Sequence, residues 1–116
     1  MFQENSEIRL IFSTCASIDE GRRISAALVE EGLVACVNLL GGVESIYRWQ
    51  GKVETSTEVL LVMKTTAARQ GEALARLKAL HPYDVPEGIV LPVLGGLAEY
   101  LGWVSDSTSG DYDSLG

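Results

Sequence analysis

Residues 33–65 read LVACVNLLGGVESIYRWQGKVETSTEVLLVMKT. Near the middle, Trp49-Gln50-Gly51-Lys52 is a turn signal, because glycine reaches the backbone angles that a tight hairpin needs. On either side lie long strand-like segments, 33–49 and 53–65. The second carries the apolar run Val59-Leu60-Leu61-Val62-Met63. Gly41-Gly42 interrupts the first arm and predicts a bulge or bend rather than a strand end. The stretch is therefore one hairpin with arms of about fourteen residues, which at ~3.3 Å per residue reach roughly 45 Å. A domain of this size is only about 35 Å across, so the hairpin must curl or project. Leu39, Leu40, Val43, Ile46, Tyr47, Trp49 and Val53 make the outer part apolar. Such a patch calls for burial against sister subunits, and closed symmetry is the usual result.

Upstream, Ile8, Leu10 and Phe12 alternate with Arg9, Ile11 and Ser13, giving a strand over 8–14 with one strongly apolar face. Ser17 and Glu20 match a capping box at a helix start, and Gly32 marks the helix end. Downstream, Leu74, Leu77 and Leu80 recur at helical spacing in a helix over 66–80, which Pro82 stops. Residues 82–86 form an extended connector, because the residue before a proline avoids the α region. A last strand over 88–94 carries Pro92, which belongs at an edge or strand end. Gly95-Gly96 is expected to end that strand before a short helix at 97–104. The order is β-α-β-β-α-β with a C-terminal helix, an α+β ferredoxin-like arrangement in which two helices cover one face of a four-stranded sheet. The domain spans 8–104, between a flexible tail at 1–7 and a tail at 105–116 whose Ser, Asp and Gly content predicts disorder.

Nine Lys and Arg stand against sixteen Asp and Glu, a formal charge of −7. That excess disfavours nucleic acid and an anionic membrane as partners. No apolar run approaches the ~18–20 residues that span a bilayer, and the polar start is not expected to act as a targeting signal. The two cysteines, Cys15 and Cys36, lie in apolar strand segments and read as reduced thiols of a cytoplasmic protein.

Few residues carry candidate chemistry. Cys15 precedes a helix start, where the helix dipole favours a thiolate or metal ligand; the alternative is a small, buried, inert thiol. His81, the lone histidine, would ligate a metal in a cleft or cap the end of the second helix. One Cys and one His do not complete a structural zinc site within one chain. Tyr47, Trp49, Tyr83 and Trp103 are large aromatics suited to an interface. Arg48, Lys52 and Lys64 could line an anion cleft with Tyr83 and Glu87, and Glu58 could pair with a neighbouring subunit. There is no nucleophile elbow, P-loop or dinucleotide fingerprint, so an enzyme is not expected.

Several stretches together resemble the CutA family: 15–20, Gly32 to Asn38, Ser45 to Lys52, Glu58 to Thr65, His81 to Glu87, and Tyr100 to Trp103. The Tyr-x-Trp-x-Gly-Lys tip and the His-Pro-Tyr-x-x-Pro connector are the most specific of them. The resemblance implies a PII-like homotrimer with the hairpins around the threefold axis. It also implies a bacterial or organellar protein tied to tolerance of copper and other divalent cations. Cys15 and His81 would be the metal residues, and no metal would be required for folding. Tyr47, Trp49, Lys52, Glu58, Lys64, Tyr83, Glu87 and Trp103 would line an inter-subunit cleft or interface. Gly41, Gln50 and Leu80 depart from the proline, glutamate and histidine that many or some members carry there.

Overall fold

The computed structural model describes residues 1–4 and 6–109. The hairpin forms as its sequence dictates. Strand β3 (Cys36–Trp49) and strand β4 (Lys52–Thr66) run antiparallel, with Trp49 opposite Lys52 at the tip. Gln50 and Gly51 turn the chain with positive φ of 50° and 80°, the pattern of a two-residue hairpin whose twist matches its strands. At Gly41–Gly42 the register slips: Leu40 faces Leu60, but Val43 faces Glu58. One extra residue is thus inserted in β3, and Gly42 takes it up at φ 73°.

The remaining strands assemble on the hairpin's base. Strand β2 (Ile8–Cys15) pairs with β4, and strand β5 (Ile89–Pro92) pairs with the other side of β2, giving the sheet order β3-β4-β2-β5. Pro92 closes the edge strand, where its missing N–H costs no ladder bond. Helix α1 (Ile18–Glu30) starts at Ser17, whose side chain accepts the Glu20 amide, and Gly32 follows its end at φ 71°. Helix α2 (Gln70–Leu80) begins four residues later than its leucine spacing predicts, because β4 runs on through Thr66. The β-α-β-β-α-β order and the ferredoxin-like α+β class are as the sequence predicts.

The main core lies between the sheet and helices α1 and α2. Ile11 and Cys15 of β2 and Val59, Leu61 and Met63 of β4 meet Ile24, Leu28, Ala73 and Leu77. The helix-covered face of β2 is therefore not the strongly apolar one. Leu10 and Phe12 point the opposite way and stay only half-buried. Helix α3 (Ala98–Ser107) covers one end of that second face, packing Leu101 and Val104 on Ile8, Ala35 and Val93.

Three expectations are corrected. Residues 1–7 are not simply a tail, because strand β1 (Phe2–Glu4) pairs with strand β6 (Gly95–Leu97) in a separate ribbon. Gly95-Gly96 accordingly carries a strand rather than a stop. A Cβ at Gly95 would collide with the Gln3 carbonyl oxygen, which explains the glycine. Helix α3 also runs past 104 to Ser107, and Thr108 is buried, its hydroxyl bonding the Val104 carbonyl at 2.9 Å. The predicted disorder at 110–116 lies outside the described residues.

The protomer measures 46 × 29 × 22 Å with a radius of gyration of 15.1 Å. A compact chain of this length would have a radius near 13 Å, and the projecting hairpin accounts for the excess. Among the described residues, no helix is long and apolar enough to cross a membrane.

Candidate functional site

The outer hairpin, the end of β2 and the connector after α2 enclose a cavity of about 580 Å³. Ser45, Ile46, Tyr47 and Trp49 of β3 form one wall. Tyr83, Asp84, Val85 and Glu87 of the connector form the other, and Thr14 and Glu58 lie between them. A smaller cavity of about 440 Å³ lies behind the connector against α2, sharing Asp84, Val85 and Glu87.

The connector is held in place by His81. Its Nε2 lies 2.7 Å from the Thr14 carbonyl oxygen, and the Tyr83 amide donates to its Nδ1 at 3.2 Å. A carbonyl only accepts and an amide only donates, so the proton sits on Nε2 and the Nδ1 lone pair is used. The Tyr83 ring packs 4.6 Å from the imidazole, and its hydroxyl donates to Glu58 Oε2 at 2.8 Å. Burial, then the hydrogen bond and charge of Glu58, push the Tyr83 phenol well above its ordinary pKa. Glu58 itself is only 7 % exposed.

Cys15 is fully buried under α1, and its thiol bonds the Ser17 carbonyl at 3.4 Å. Burial raises its pKa, and the charges of Glu20 and Glu58 add to that, outweighing the bond to Ser17. The thiolate expected from the adjacent helix start is thus disfavoured: desolvation outweighs the dipole. A metal ion on Cys15 and His81 does not fit the protomer as folded. The thiol is protonated and enclosed, and neither imidazole nitrogen has a free lone pair. Among the described residues, no group of three or more His, Cys, Asp and Glu side chains could hold a metal ion.

Of the cleft residues expected from sequence, Tyr47, Trp49, Glu58, Tyr83 and Glu87 come together here. Lys52 is exposed at the tip turn. Lys64 lies elsewhere, bonded to Asn38 and paired across the strands with Cys36. Trp103 stacks near Tyr100 on α3, ring centroids 5.6 Å apart. Thr14, Ser45, Asp84 and Val85 were not anticipated. Asp84 and Val85 sit inside the distinctive connector motif, which was the available signal.

This arrangement of long hairpin, connector and three helices has close counterparts. The family described as "CutA1 divalent ion tolerance protein" matches residues 9–107. The chain belongs to the CutA family. A CutA protein of Thermus thermophilus, named a divalent-cation tolerance protein, is 48% identical over 99 residues, covering 85% of this chain and 96% of its own. The chloroplastic CutA 1 of Oryza sativa is 41% identical over 99 residues, 85% of this chain and 56% of that longer protein. A crystal structure of CutA from Xylella fastidiosa superposes with a TM-score of 0.88 at 48% identity, covering 90% of this chain and 100% of that one. The CutA description names tolerance of divalent ions rather than a catalysed reaction, in line with the expectation of no enzymatic activity.

Proposed function

We propose that this CutA protein works as a cytoplasmic homotrimer in the response to divalent metal ions, copper among them, with the metal as cargo rather than resident cofactor. The observation that carries the trimer is apolar surface left open on the protomer. Ile46, Val53 and Ile89 are more than half exposed, and Leu40, Tyr47 and Trp49 nearly so. They extend along the hairpin and one sheet face, an area that water-exposed monomers rarely present. A soft metal would reach Cys15 only when the exposed Ala16–Ser17 corner opens, and binding would then release the thiol proton. Both cysteines are free thiols, which suits a reducing compartment.

The cavity between hairpin and connector favours a second role beside the first, as a PII-like sensor of a small molecule. Its volume is that of a small-ligand site.

Sedimentation of the wild-type chain and Trp49→Ala tests the assembly, and Cu(I) titration of the wild type and Cys15→Ser tests the metal. The expected results are a trimer that Trp49→Ala weakens and copper binding that Cys15→Ser reduces. A folded wild-type monomer at micromolar concentration would sink the first, and equal affinity and stoichiometry in both proteins the second.

A further inference from the structure

The cavity walls carry an uneven charge. Glu58, Asp84 and Glu87 contribute three carboxylates, and no Lys, Arg or His lines the space. Glu58 is the informative one. It is nine-tenths buried; its Oε2 takes the Tyr83 hydroxyl. Among the described residues, no cation pairs with it. Buried carboxylates are ordinarily matched by a positive charge. The missing charge must come from outside the protomer.

A basic side chain of a neighbouring subunit is one source; among small ligands, the walls separate three classes. A bare metal ion needs donors converging on a point, which the three carboxylates do not provide. An anion is repelled by the lining. An organic cation satisfies both features of the walls. Its ammonium groups match carboxylates spread around the space, and Tyr47, Trp49 and Tyr83 add aromatic rings, a group that attracts cations, to the lining. The volume, about 580 Å³, admits a molecule of many heavy atoms. We propose that the Glu58 cleft binds a small organic ammonium compound of the aliphatic amine or polyamine class. This rests on the sensor reading above and names its ligand chemistry; it also replaces the anion cleft expected from Arg48, Lys52 and Lys64.

Calorimetric titration of spermidine into the full-length protein at low salt tests it, with glutamate as the anionic control and magnesium chloride as the metal control. The expected result is saturable spermidine binding, absent for both controls. Glu58→Gln keeps the contact with Tyr83 but removes the charge, and it should weaken binding roughly tenfold or more, the worth of a charged hydrogen bond. Asp84→Asn, at an exposed position, provides a second variant should Glu58→Gln fail to fold, with a smaller loss expected. Absence of saturable binding at millimolar spermidine overturns the proposal, as does binding unchanged in both variants. A third outcome overturns it too: Glu58→Gln dissociates the assembly while spermidine does not bind, which would mean that a basic side chain of a neighbouring subunit fills the site. Sedimentation on the same samples keeps the two readings apart. A trimer that ignores spermidine sinks the ligand alone; a monomer that binds it through Glu58 sinks the trimer alone.

Discussion

The two halves of the hairpin obey different rules, although they belong to the same strands. Its root, from Cys36 to Leu40 and from Val59 to Thr66, is part of the four-stranded sheet and buries Val59, Leu61 and Met63 under two helices. Its outer half, beyond the Gly41–Gly42 bulge, has no third strand beside it, and most of its side chains are exposed. The outer half is more polar, yet Val43, Ile46, Tyr47, Trp49 and Val53 still lie along it. The difference teaches that hydrophobic residues in this chain have two fates: those at the root are buried and hold the protomer together, and those at the tip stay open on its surface.

The largest expected effect separates the two directly. Leu61 is fully buried, so Leu61→Ala should cost about 2–5 kcal/mol in urea unfolding, through lost burial and the cavity left behind. Val53 is 68% exposed, so Val53→Ala should change protomer stability by no more than about 0.5 kcal/mol. Both need measuring at one protein concentration, because any assembly would add its own stabilisation. Equal losses would erase the distinction between root and tip.

A smaller effect is expected at the turn that joins the arms. Gly51 has φ 80° with open space around a hypothetical Cβ, so the only obstacle to a side chain there is backbone conformation. Gly51→Ala should therefore cost about 1 kcal/mol in the same unfolding measurement. No change would mean that the tip frays and contributes nothing to the folded state.

The smallest effect concerns the boundary, where Cys15 pairs with Val59. Burial raises the Cys15 pKa in the folded protein, and Tyr83 is raised likewise. The folded state thus holds these protons more tightly than the unfolded chain. That stabilisation is complete below the unfolded thiol value of about 8.5 and is lost as pH rises towards the folded values. Thermal melts should show the melting temperature falling on the alkaline side of that point, with a shallower initial decline in Cys15→Ala. A parallel decline in both proteins would remove Cys15 as a contributor.

Much of the architecture was legible because hairpin length, glycine placement and helical leucine spacing are local signals. The β1–β6 ribbon was not, since Phe-Gln-Glu and Gly-Gly-Leu carry no strand pattern and are joined by a pairing distant in sequence. Nor could alternation reveal which face of β2 the helices cover. Ile11, Ser13 and Cys15 take that side, with the Ser13 hydroxyl buried and unpartnered, and the more apolar Leu10 and Phe12 face away. In the candidate site, the aromatics and Glu58 were foreseen, but the acidic balance of the lining was not. For Cys15 the sequence left two readings open, because proximity to a helix start shows in a sequence whereas depth of burial does not. The engaged state of His81 likewise depends on a contact to Thr14, sixty-seven positions away.

The extra residue in β3 shows in the numbering of its two faces. Cross-strand partners share a face, so Leu40 opposite Leu60 and Val43 opposite Glu58 stand on the same side of the ribbon. Before the insertion, even-numbered residues of β3 occupy that side; after it, odd-numbered ones do, and Tyr47 and Trp49 come to stand with Glu58. Loss of Gly41 or Gly42 alone would remove the insertion and leave Leu40 and Val43 two residues apart, still opposite Leu60 and Glu58, so Tyr47 and Trp49 would stay beside Glu58. What such a deletion would change is the bend between root and tip, and with it the angle at which the aromatic wall meets Glu58.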